Sequence, residues 1–298
     1  MRPAESSPPP NRPKPRPAGQ PLLTDEARRR RLGSAFSDAQ DLAQAREYDA
    51  LRPRYPQDAV DRLLSTSGEY PTVVELGAGS GILTRDLLTH PRLHGGVLHA
   101  VEPSGPMLEI LGETQDPRLR LHRATAEQTG LPASCADVVV ASQSWHWFDP
   151  QQTQQELLRI LRPGATVAVI ANYLDTSHPW VHRLTRIMRA GDVYRPQWQP
   201  QFDAGSSAPG SVTPRSFSPV VSSVFTHARS ITPEEILRLA TTLSSWLSAP
   251  EKDRARRRDN LQWYLYEHLG HREGEELSLP YLTALHTSGF SRGGVSPG

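Results

Sequence analysis

Glu75, Gly77, Gly79 and Gly81 occupy alternate positions, with Ala78 and Ser80 between the glycines and the apolar pair Val73-Val74 just before them. The stretch reads as a short strand that turns sharply into a helix near Ile82. Glycine suits a turn where a ligand must lie against bare backbone. The helix start adds unpaired N–H groups and the positive end of the dipole. Such a turn holds a nucleotide-like cofactor, although a tight glycine turn with no ligand has the same composition. A nicotinamide or flavin site calls for a third glycine in the order Gly-x-Gly-x-x-Gly, and Ile82 stands there instead.

Three further groups of residues could do chemistry. Glu102 ends a second apolar run, Val97 to Val101, 21 residues beyond Gly81. An acid at the end of the second strand of an open α/β sheet can accept two ribose hydroxyls, and this spacing fits a dinucleotide equally well. Tyr48, Arg52 and Tyr55 lie in Tyr48-Asp49-Ala50-Leu51-Arg52-Pro53-Arg54-Tyr55-Pro56. There an arginine can pair with a carboxylate and tyrosine rings can cover a cleft, or the two prolines simply make a surface turn. Finally, Gln143-Ser144-Trp145-His146-Trp147-Phe148-Asp149-Pro150 sets three aromatics around a histidine. His146, with an ordinary pKa near 6.5, is available as a proton acceptor or serves only to orient the loop.

The order Glu-x-Gly-x-Gly-x-Gly resembles motif I of class I S-adenosylmethionine (SAM) methyltransferases. The resemblance implies that Glu75, Gly77, Ala78, Gly79 and Gly81 wrap the methionine part of SAM and that Glu102 holds its ribose. Pro103-Ser104-Gly105-Pro106-Met107 is similar to the family's next turn, which implies that Pro103 and Met107 meet the adenine; Met107 is equally an ordinary helix-core residue. Ala124-Thr125-Ala126-Glu127 resembles the family's Asp-Ala-Glu adenine loop, with Thr125 in place of the aspartate. A hydroxyl bonds the adenine amino group more weakly than a carboxylate does. The Tyr48 segment, and Gln143 with the residues after it, resemble the trans-aconitate-methyltransferase-like small-molecule subgroup. That likeness places a lid over the cofactor, sets Gln143 against the cofactor and puts Tyr48, Arg52, Tyr55, Trp145 and Trp147 on the acceptor side, with His146 as the candidate base. The implied reaction is in-line methyl transfer from SAM to a small organic acceptor, without a metal. An NAD(P)-dependent oxidoreductase and a SAM-binding protein without activity remain the other two readings.

These residues need a scaffold. Apolar runs at 73–76, 97–101 and 136–141 read as strands, as does 165–171 after a helix over 151–162 that stops at Pro163-Gly164. Helical spacing returns at 178–189, at 232–243 behind a Thr232 cap, and at 254–269. Strands are expected at 220–228 and 277–283, with Pro280 suited to a sheet edge. The expected fold is α/β: a Rossmann-like, doubly wound, seven-stranded, mostly parallel sheet. Its antiparallel last strand is implied by the resemblance alone.

Composition bounds the rest. The 298 residues carry a net charge of +1, which argues neither for nor against a polyanionic partner; the Arg28–Arg31 run lacks interleaved aromatics, and nucleic-acid binding is not expected. A single cysteine, Cys135, excludes an internal disulfide framework and permits a cytoplasmic location. No apolar run approaches the roughly 20 residues of a membrane span. Residues 1–31 read as a disordered Pro/Arg-rich tail, with eight prolines among the first 21 residues. One methyltransferase domain is expected over 32–290, with 191–217 as an insertion over the substrate side and 291–298 as a flexible end. The partner is a small-molecule acceptor; no feature reads on oligomeric state.

Overall fold

The computed structural model describes residues 41–189, 200, 202 and 216–291. The expected tail and most of the 191–217 insertion lie outside these residues, as does the C-terminal end after Ser291. Seven strands form one sheet in the order β3-β2-β1-β4-β5-β7-β6. They are β1 (Thr72–Leu76), β2 (Val97–Val101), β3 (Leu119–His122), β4 (Ala136–Ser142), β5 (Leu161–Leu174), β6 (Val221–Ile231) and β7 (Leu277–Gly289). The first five run parallel, and β7 pairs antiparallel with both β5 and β6. The expected doubly wound sheet with an antiparallel last strand is present.

The central strands read as nearly continuous apolar runs because both faces are covered. On one face Val73, Val138, Val140, Ala168 and Ile170 pack against α2 (Gln57–Leu64) and α3 (Ile82–Thr89). The other face of β1, β4 and β5 packs on α5 (Pro150–Ile160) through Leu157 and Ile160. α4 (Gly105–Gly112) covers β2 through Leu111, and α1 (Leu42–Leu51) lies on α4 through Ala45, Met107 and Ile110. A separate cluster joins α6 (Pro179–Met188), α7 (Pro233–Thr241), α8 (Glu251–Gln262) and the π-helical turn Trp263–His268 around Leu51 and Tyr281. Thr232 and Glu235 make the reciprocal capping box that starts α7.

Three expectations need correction. β7 is sixth in the sheet, not its edge; β6 is the edge strand. Pro280 is tolerated there because it lies just past the end of β5, whose pairing stops at Tyr281; on that side only its carbonyl is used, accepting from the Asp175 amide at 2.9 Å. Pro163-Gly164 does not end α5, since β5 starts at Leu161; the pair sits in a register shift between Ala136 and Val138 of β4. β7 also continues to Gly289, because Thr283, His286 and Ser288 are buried polar residues that bond within the sheet region. α1, α2 and the four-residue β3 were not anticipated.

Candidate active site

The turn between β1 and α3 is left-handed at three points: Gly77 (φ 64), Gly79 (φ 58) and Gly81 (φ 89). Their reasons differ. A Cβ on Gly77 would lie 2.6 Å from Ser144 Cβ, and one on Gly81 would lie 2.2 Å from Leu111 Cδ1. Those two glycines admit neighbouring protein. A Cβ on Gly79 would meet nothing within 4 Å, so its bare backbone faces open space. The Gly77 and Ala78 amides donate to Val101 O at 2.8 and 3.1 Å, which ties the loop to the end of β2.

Two carboxylates hold this loop. Glu102 Oε2 accepts from the Gly79 amide and Oε1 from the Ser104 amide, both at 2.9 Å. Burial raises its pKa, opposed by those two hydrogen bonds. Each oxygen retains a lone pair for a ligand hydroxyl. Glu75 lies behind the loop, fully buried, with Oε2 accepting from Thr84 Oγ1 and Oε1 from Ser142 Oγ, both at 2.6 Å. Burial lifts its pKa to about 7. Glu75 therefore braces the loop from below.

A cleft opens above the glycines. Gly77, Ala78, Gly79, Gln143, Tyr48, Arg52 and Tyr55 all line it, so the structure brings the glycine loop and the Tyr48–Pro56 segment together. Arg52 lies over the Tyr48 ring at 4.6 Å and donates to Thr242 Oγ1 (3.1 Å) and Thr242 O (2.8 Å). Arg54 bonds Asp86 Oδ1 at 2.5 Å, and the Tyr55 amide bonds Asp86 Oδ2 at 3.2 Å. Burial pushes the Tyr55 phenol well above its usual value. Gln143 adopts φ 56, with its side-chain nitrogen on Asn172 O at 2.7 Å.

Other expected site residues stand apart from the cleft lining. Met107 is buried beneath α1 beside Ala45 and Tyr48, as a helix-core residue would be. Pro103 and Thr125 are exposed, whereas Ala126 is buried in the main core. Glu127 accepts from the Asp149 amide at 2.8 Å and so anchors the start of α5. Trp145 packs edge-on against Phe148 and Phe202, with centroids 5.9 and 5.1 Å away, and belongs to a core cluster. His146 and Trp147 follow in the same short 3₁₀ turn, their rings 4.3 Å apart. Burial, with the nearby Arg189 charge, drives the His146 imidazole down to about 3. It is neutral near pH 7 but a weak base.

Sequence reasoning missed Ser80, Ile82, Ser142 and Asn172 in the cleft wall. Asn172 carried a signal: a polar residue closing the apolar run of β5. Its amide nitrogen bonds the carbonyls of Pro53 (3.3 Å) and Arg54 (3.2 Å), pinning the segment that roofs the cleft. Ser80 Oγ is buried without a partner. That orphaned hydroxyl, and the open space over Gly79, fit a bound ligand with polar groups against the loop. Among the described residues no cluster of His, Cys, Asp or Glu could hold a metal, and no helix is long and apolar enough to cross a membrane.

Residues 74–169 match the model of a methyltransferase domain family. An uncharacterized methyltransferase of Mycobacterium tuberculosis (strain ATCC 25618 / H37Rv) is 30% identical over 237 residues, covering 79% of this chain and 89% of that one. An uncharacterized methyltransferase of Schizosaccharomyces pombe is 29% identical over 215 residues, covering 70% and 80%. Among solved structures, one described as a type II methyltransferase from Anaeromyxobacter dehalogenans superposes with TM-score 0.54 at 23% identity, over 80% of this chain and 97% of that one. With the glycine loop, the Glu102 brace and the 3-2-1-4-5-7-6 sheet in place, the chain belongs to the class I SAM-dependent methyltransferases.

Proposed function

We propose that this enzyme transfers the methyl group of SAM to a small organic acceptor, a metabolite or natural product. On this reading it falls in the trans-aconitate-methyltransferase-like subgroup that its lid segment resembles. The observation that carries it is the meeting of the glycine loop and the Tyr48–Tyr55 segment across one cleft, which puts the roofing side chains beside the loop that would hold the cofactor.

SAM supplies an activated methyl on a sulfonium centre. Gly79, by leaving its backbone bare, makes room for the methionine end, and Ser80 Oγ is placed to bond it. Glu102 receives the ribose hydroxyls. Tyr48, Arg52 and Tyr55 roof the cleft, excluding water and holding the acceptor in line. Because the methyl is already activated, alignment and desolvation carry most of the acceleration.

Incubation with methyl-labelled SAM and a metabolite extract, followed by mass spectrometry, tests this. Label should appear in a small molecule. Label confined to protein or nucleic acid would overturn the proposal.

A further inference from the structure

Two polar atoms at the roofed end of the sheet, Tyr281 Oη and His227 Nδ1, are buried without a hydrogen-bond partner. Tyr281 is 4% exposed. The two residues are register partners on β7 and β6, with ring centroids 5.5 Å apart. Register partners share a face, as do residues two apart on one strand. Asn172, Thr283, Tyr281, His227 and Arg229 therefore share one face of the sheet. Asn172 and Arg229 bond backbone carbonyls of Pro53, Arg54 and Leu51, so this face lies beneath the lid.

The protons on this face can be counted. The Asn172 amide nitrogen donates to the lid, which leaves its Oδ1 as an acceptor. Thr283 Oγ1 donates to that oxygen at 2.5 Å. A hydroxyl has one proton to give. Thr283 Oγ1 can thus only accept from His227 Nε2, 3.3 Å away. Burial lowers the His227 pKa and favours the neutral ring. Its single proton is on Nε2, and Nδ1 is a bare lone pair. The Tyr281 phenol, pushed up to about 12 by burial, keeps its proton and is a donor. A hydroxyl has the chemistry that answers both atoms, its oxygen accepting from Tyr281 and its hydrogen meeting Nδ1, and the face they share reaches the cleft at Asn172. The charges of Arg229, Arg52 and Arg189 act on the Tyr281 hydroxyl. Among the described residues Arg52, which lines the cleft, bonds only Thr242 oxygens and has no carboxylate partner, whereas Arg229 has Glu235 at 3.9 Å. Such a positive field favours an oxygen becoming an anion.

We infer that His227 and Tyr281 receive the reacting hydroxyl of the methyl acceptor, and that this acceptor is a phenol or enol. The inference rests on the proposed small-molecule methyl transfer. The acceptor O–H bond breaks and its proton passes to His227 Nδ1. The oxygen keeps the electron pair, stabilised by the Tyr281 hydroxyl and the arginines. That pair forms the new O–CH₃ bond as the S–CH₃ bond breaks, its electrons staying on sulfur. The imidazolium then releases the proton to solvent. Thr283 is a positioning residue that fixes the His227 tautomer.

The test uses the full chain loaded with S-adenosylhomocysteine, with para-nitrophenol as probe and its phenolate absorbance as readout, below the probe's own pKa. The bound probe should be ionised. His227→Gln and Tyr281→Phe should each lower the bound ionisation constant at least tenfold. Tyr281→Phe should not lower Tm, since it removes an unpartnered hydroxyl, and it keeps the test decisive if His227→Gln fails to fold. A probe that stays unbound or neutral, or ionises equally in both variants, would overturn the inference. Label from methyl-labelled SAM absent from small molecules would count against the proposed function itself. Label in a small molecule without probe ionisation counts against this pair alone.

Discussion

The Gly79 amide donates to Glu102 Oε2 at 2.9 Å, so the acid proposed to receive the ribose also fixes the backbone of the glycine loop. Glu102→Ala removes both services. Calorimetry should show S-adenosylhomocysteine affinity reduced by about 1.5–3 kcal/mol, the scale of a hydrogen bond to a charged group. Glu102→Gln keeps one acceptor oxygen and should lose less. Equal affinity in all three proteins would remove Glu102 from the site.

The glycines should separate by mechanism. At Gly79 a side chain enters open space, although φ 58 makes it strained. Gly79→Val should fold and fail to bind S-adenosylhomocysteine. At Gly81 a Cβ meets Leu111 Cδ1 at 2.2 Å on a left-handed backbone. Gly81→Ala should lower Tm first, by an overpacking cost of about 1–3 kcal/mol. Thermal melts set against binding isotherms distinguish the two; a Gly79→Val protein with normal affinity would refute the cradle.

Glu75 makes stability depend on pH. Its folded pKa is about 7 against an ordinary 4.5. Between those values the unfolded chain has released a proton that the folded chain retains, so stability falls as pH rises from about 4.5 to about 7 and levels off above. The full span is on the order of 3 kcal/mol. Glu102, also raised by burial, adds in the same direction. Denaturant unfolding across this range should show the decline, and Glu75→Gln should flatten most of it. An unchanged slope in Glu75→Gln would place the titration elsewhere.

The parts of this site that were legible from sequence are those where the backbone does the work. Alternating glycines after an apolar strand can be read because few other residues adopt their conformation, and Glu102 can be read from its place at a strand end. The acceptor side was harder. Trp145 has the composition of a pocket wall and also packs, half-buried, against the core cluster that holds Phe148 and Phe202, and composition does not distinguish these roles. Asn172, His227 and Tyr281 lie on three strands whose adjacency follows from the β5-β7-β6 pairing. That pairing brings together residues more than 50 positions apart, and no local pattern records it. Likewise β3, four residues at a sheet edge, is too short for its alternation to stand out.

His146 should not act as the general base. With its pKa driven to about 3, below the unfolded value near 6.5, the ring stays neutral across ordinary assay conditions. The unfolded chain gains a proton below pH 6.5 that the folded chain refuses, so His146 costs stability as pH falls from about 6.5 toward 3. His146→Asn should ease that acid-side loss. Once an acceptor is in hand, the same variant should keep kcat within tenfold, against the 10²–10⁴ expected for loss of a base. A drop in that larger range, with a kinetic limb near pH 6.5 disappearing, would restore His146 as the base.

The lid should loosen with salt. Ion pairs fasten α1 to three other elements: Arg46 to Glu113 beside α4, Glu47 to Arg238 on α7, and Asp49 to Arg85 on α3. Arg46, Glu113 and Arg238 are each about half exposed, so salt reaches their pairs. Asp49 and Arg85 are more enclosed and should hold longer. Apolar contact on this helix is confined largely to Leu42, Ala45, Tyr48 and Leu51, so the ion pairs matter to its closure. Raising salt to about 1 M, where the Debye length is ~3 Å, should speed S-adenosylhomocysteine release in stopped-flow measurements without changing Tm by more than a few degrees. Glu47→Gln should reproduce part of that acceleration at low salt and make release less salt-sensitive. A release rate indifferent to both salt and Glu47→Gln would mean that the helix is held by its apolar contacts and the Arg229 bonds to the Leu51 and Ala50 carbonyls, and that ligand leaves without its opening.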